Sequence, residues 1–123
     1  MATVDEIQRQ EVWKFRHAPP GSSDEKIRPC VVIDRAEGDY FTVVYGGSQG
    51  HPGAEHVLVE ESDDIKAMGL DHKTYFRHNS VLVVHVDEFK RKIGRCPDLP
   101  LFVEIETIAF DFEKRYGKPI PKQ

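Results

Sequence analysis

The chain has 123 residues, 39% of them hydrophobic, which is enough for one buried core and too little for two ordinary domains. Charged residues make up 31% and the net charge is -4, which excludes a strongly basic protein that coats nucleic acid by phosphate neutralisation but leaves room for a local basic cleft. No run approaches the roughly 18 apolar residues of a membrane span, the first residues lack a basic-then-apolar leader layout, and Cys30 and Cys96 suit neither a disulfide framework nor a metal-ligand motif, so a reduced cytoplasmic setting is expected.

In chain order, Val12-Trp13-Lys14-Phe15-Arg16 alternates and predicts a first strand with Trp13 and Phe15 turned inward. The stretch from His17 to Ile27 reads as a loop, because Ala18-Pro19-Pro20-Gly21-Ser22-Ser23-Asp24-Glu25-Lys26 is rich in turn formers and charge. Arg28 to Asp34 predicts a second strand, buried on both faces because Cys30-Val31-Val32-Ile33 offers no polar position. Glu37-Gly38-Asp39 turns the chain into a third strand, Tyr40 to Tyr45, making an antiparallel hairpin.

The next stretch, Gly46-Gly47-Ser48-Gln49-Gly50-His51-Pro52-Gly53, bends sharply and can leave backbone amides accessible, so it is a candidate functional loop. Glu55 to Val59 predicts a fourth strand, followed by a short helical turn capped by Ser62 or Asp63 and ended by Gly69. Tyr75-Phe76 is expected as an edge strand, and Ser80 to Val86 carries the strongest strand pattern of the chain. The mixed charges of Asp87-Glu88-Phe89-Lys90-Arg91-Lys92 suit a solvated face or edge. From Asp98 the period changes: Leu101, Phe102, Ile105, Ile108, Ala109, Phe112 and Tyr116 share one face of a helix ended by Gly117 and Pro119. A single domain ordered over about 11–116 is expected, mainly β with a C-terminal amphipathic helix, its small twisted sheet closing into a barrel.

Val12-Trp13, the Gly21-Ser22-Ser23-Asp24-Glu25 loop and the strand opening Arg28-Pro29-Cys30-Val31-Val32-Ile33 resemble the MazF/PemK family of toxin-antitoxin ribonucleases. Ser48 matches that family's Thr or Ser after its third strand, and Asn79-Ser80-Val81-Leu82-Val83-Val84 resembles the strand before its closing helix. The resemblance implies an SH3-like barrel, a homodimer, cleavage of single-stranded RNA without metal or other cofactor, and a cognate antitoxin as partner. Lys26-Ile27 stands where the family carries glycines, a departure that supports a rival reading as a non-catalytic module binding nucleic acid or protein on the same barrel.

Metal-free cleavage through the neighbouring ribose hydroxyl needs a base, a group that stabilises the crowded phosphate, and a proton for the departing oxygen. Arg28 meets the second need, since its planar fork stays charged and can grip two phosphate oxygens, and Ser48 can assist as a hydrogen-bond donor. His17 and His51 are candidates for proton transfer, with Gln49 and Arg77 as substrate-binding candidates. Each has a plainer reading: an Arg before a strand is commonly a surface charge or partner of Asp24 or Glu25, and a Ser among glycines commonly bonds its own turn. The glycine loop lacks the Gly-Lys-Ser/Thr of a nucleotide site, and the histidine spacings make no metal motif. Trp13, Phe15, Phe41 and Tyr45 are expected in the core, while Tyr75 and Phe76 are candidates for contact with RNA.

Overall fold

The computed structural model describes residues 2–17, 26–50 and 55–119. Alternation and β-branched runs give β1 (Glu11–His17), β2 (Lys26–Arg35), β3 (Tyr40–Gly47) and β4 (His56–Val59); after α1 (Ser62–Met68) come β5 (Thr74–His85), β6 (Phe89–Arg95) and α2 (Leu99–Tyr116). The six strands form one antiparallel sheet in the order β4-β5-β3-β2-β1-β6. Its ladder does not close, so the barrel is a loose one.

Both faces of the sheet are covered. Val12, Val31, Ile33 and Val44 pack with Met68 of α1, Phe76, and Phe102, Ile105, Ile108 and Ala109 of α2. On the opposite face Trp13, Phe15, Cys30, Val32, Phe41, Val43, Val84 and Phe89 form a second cluster, over which Ile7 of the N-terminal segment lies. Val12 is therefore as buried as the aromatic residues beside it, and the run Cys30 to Ile33 is buried at every position, as its composition requires. Full burial of each such side chain stabilises the fold by about 1.5–3 kcal/mol.

Three local expectations are corrected. Tyr75-Phe76 is not an edge strand: it begins the 12-residue β5, which lies between β3 and β4 and continues unbroken through Ser80. The register shift between Val44 and Gly46 on β3 sets the Gly46–Phe76 pair beside Val44–Val81, so the polar stretch Arg77-His78-Asn79 is absorbed as an irregularity. The residue preceding α1 is Glu61, with no side-chain cap, whereas Gly69 ends that helix at φ +70°, where glycine is favoured. In α2, Asp98 accepts from the Leu101 amide at 2.9 Å as expected, but Tyr116 is 66% exposed, its ring 5.0 Å from Phe112 rather than under the sheet. None of the described helices is long and apolar enough to cross a membrane.

Candidate active site

Arg28 stands near the N-terminal end of β2, opposite Phe15 of β1. On its other side runs β3, whose Gly47 lies close: a Cβ built there would meet the Arg28 Nη1 at 3.8 Å, ordinary van der Waals contact. The two strands thus bring Arg28 to the start of the glycine loop, and Arg28 and Ser48 line one cleft of about 170 Å³. The rest of its wall comes from Lys14, Ile27, Pro29 and the stretch Leu70-Asp71-His72 with Thr74.

Among the described residues the Arg28 guanidinium has no counter-charge. Arg28 Nε is buried with no hydrogen-bond partner among the described residues, and none of the ion pairs among those residues uses Arg28. Lys14 is different: its ammonium lies 3.3 Å from an Asp71 carboxylate oxygen, so that cation already has a counter-charge. A buried donor with no partner among the described residues is costly to keep, and an incoming anion would satisfy it.

The loop that carries Ser48 is held by close approach. A Cβ at Gly46 would run into the Thr74 methyl group, and one at Gly50 would come within 2.8 Å of the Tyr75 ring. Ser48 and Gln49 are exposed between them.

The remaining candidates fall elsewhere. His17 is buried in a ring stack, 5.7 Å from Phe15 and 4.9 Å from Tyr45 between centroids, and does not line the cleft. Arg77 pairs with His56 across β5 and β4, also away from the cleft lining. Gln49 neighbours Ser48 without lining the cleft, and His51 lies outside the described residues. Phe76 is fully buried against α2 and its neighbours, so it is core and not a stacking surface; Tyr75 lies under Gly50 with the His56 ring edge-on at 5.2 Å. Trp13, Phe15 and Phe41 are core, as their placement predicts.

Two lining residues, Lys14 and His72, carry chemistry that sequence spacing did not single out. Lys14 looked like the outward half of an alternating strand, and His72 followed a helix with no motif around it. The thiols offer no nucleophile: burial pushes Cys30 far above its ordinary range and Cys96 up to about 12. No group of three or more His, Cys, Asp or Glu among the described residues has the arrangement of a metal site. No family model and no curated protein matches the chain.

Proposed function

We propose that the chain is an endoribonuclease that cleaves single-stranded RNA without metal, Arg28 stabilising the charge that builds on the scissile phosphate and Ser48 assisting by hydrogen bond. The observation that supports this most is the Arg28 Nε, buried and without a partner among the described residues, beside the exposed Ser48 in a shared cleft. A guanidinium fixed at a strand end needs little reorganisation when a phosphate arrives, which is where electrostatic stabilisation is largest. With this reading go a homodimer, an antitoxin partner and residence in the cytoplasm.

The second reading, a module that binds RNA or protein without cutting it, is favoured by one feature. Ile27, where the resemblance would place glycine, is 52% exposed and puts an apolar side chain on the cleft wall beside Arg28.

Incubation of single-stranded RNA with purified protein and excess chelator separates the two. Cleavage predicts fragments ending in a cyclic phosphate, and Arg28→Ala should lower the rate about 10²–10³-fold while the protein stays folded. RNA protected but uncut at high protein concentration supports the module, and full activity in Arg28→Ala overturns the role given to Arg28.

A further inference from the structure

We propose that His72 is the proton-transfer group of the Arg28 cleft, an inference that rests on the ribonuclease reading above. Among the described residues it is the one imidazole in the cleft wall, which it shares with Arg28, Ser48 and Lys14. His17 is held in its stack with Phe15 and Tyr45, and His78 lines a separate cavity beside α2.

The ring is set up for the task by its own backbone. His72 Nδ1 lies 2.7 Å from the Lys73 carbonyl oxygen, and a carbonyl can only accept, so Nδ1 carries the hydrogen. In the neutral ring Nε2 then holds the lone pair and is the atom free to take a proton. The segment is fastened on both sides: Thr74 Oγ1 donates to the His72 carbonyl at 3.0 Å, Asp71 is paired with Lys14, and Leu70 is buried in the core. The charged groups sharing the cleft with the ring are Lys14 from β1, Arg28 from β2 and Asp71 from its own segment, while Gly47 of β3 and Ser48 just after it add no charge.

The step balances without a further reactant. His72 Nε2 takes the proton of the ribose 2′-hydroxyl, O2′ bonds to phosphorus, and the P–O5′ bond breaks as its electron pair leaves on O5′. The imidazolium then gives the proton to O5′, directly or through one water, leaving a 2′,3′-cyclic phosphate and a free 5′-hydroxyl. Arg28 holds the non-bridging oxygens throughout.

Single-turnover cleavage of a mixed-sequence single-stranded RNA, in chelator and from pH 5 to 9, tests this. His72→Gln should cut about 10²–10³-fold more slowly with RNA affinity unchanged. Its rate should also lose the fall on the acid side that the wild type shows, and imidazole in the buffer should partly restore His72→Ala. A His72→Gln protein that cleaves at the wild-type rate overturns the proposal, as does a slow variant that keeps the acid limb and gives no rescue. In both of those cases wild-type cleavage that still depends on Arg28 leaves the ribonuclease reading standing. Wild-type protein that cuts no RNA removes that reading, and His72's role with it.

Discussion

Glu11 is a buried carboxylate with both oxygens engaged. Its Oε1 accepts from the Gln8 amide at 2.8 Å and the Trp13 indole at 3.1 Å, and Lys92 stands 2.8 Å from Oε2. Burial alone would raise its pKa, but the hydrogen bonds from Lys92, Trp13 and Gln8, with the Lys92 charge, outweigh it and hold the carboxyl below its ordinary value. The unfolded chain then binds this proton more readily than the folded one. Glu11 therefore stabilises the fold fully above its unfolded pKa of about 4.3, and the contribution is lost as pH falls through the lowered native value. Glu11→Ala, which strands the buried Trp13 N–H, should cost about 2 kcal/mol in urea unfolding at pH 7. Glu11→Gln should show a shallower loss of stability between pH 5 and 3 than the wild type, and equal slopes would mean that the carboxylate has no such role.

At the scale of elements, the glycine loop shows two separate uses of a missing side chain. Gly46 is buried inside the sheet against Thr74 and Phe76, whereas Gly50 lies over the half-buried Tyr75 ring, a side chain and not backbone. Gly46→Ala should therefore lower stability, by about 1–3 kcal/mol as for other overpacked core sites. Gly50→Ala should leave the melting temperature nearly unchanged and, on the proposed function, reduce RNA cleavage by displacing Ser48. Equal effects of the two variants on melting would contradict this division. The sequence shows the loop as a bend because four glycines and a proline fall within Gly46 to Gly53. It cannot show why glycine is needed at 46 and 50, since the obstructing Thr74 and Tyr75 come from a strand far along the chain. The same distance hides β5: Arg77-His78-Asn79 looks like a break until the shifted pairing with β3 absorbs it. By contrast β2 and α2 are legible, because an all-apolar run and a helical period with an Asp98 cap are local properties. Arg28 could be read from its own strand, while His72 could not, because only tertiary packing carries it there.

That packing is a property of the whole molecule. The sheet ends in β4 on one side and β6 on the other, and α1, which follows β4 closely, bridges them by packing its last turn on β6. The approach is backbone to backbone. A Cβ on Gly69 would be 2.7 Å from the Ile93 carbonyl carbon, and one on Gly94 would be 2.6 Å from the Met68 carbonyl oxygen. No flexible side chain can yield at either point, so Gly94→Ala must push α1 away from β6. The chain leaving α1 is Gly69-Leu70-Asp71-His72, whose Leu70 seats in the core and whose Asp71 reaches Lys14 of β1. Displacing α1 therefore moves one wall of the cleft relative to Arg28, which stays fixed by β1 and β3. Gly94→Ala is expected to lower stability by about 2–3 kcal/mol, within the range of severe overpacking. At a temperature where it remains folded, it should also slow the proposed RNA cleavage, with a larger loss than Gly38→Ala, whose added Cβ meets nothing within 4 Å and whose φ of +62° strains only the Glu37-Gly38-Asp39 turn, away from the cleft. Thermal melts and cleavage rates of the two variants check both halves. If Gly94→Ala melts at the wild-type temperature, the α1–β6 contact does not hold the sheet edges together; if it is destabilised yet cuts at the wild-type rate, the wall bearing His72 is positioned by its tie to Lys14 instead.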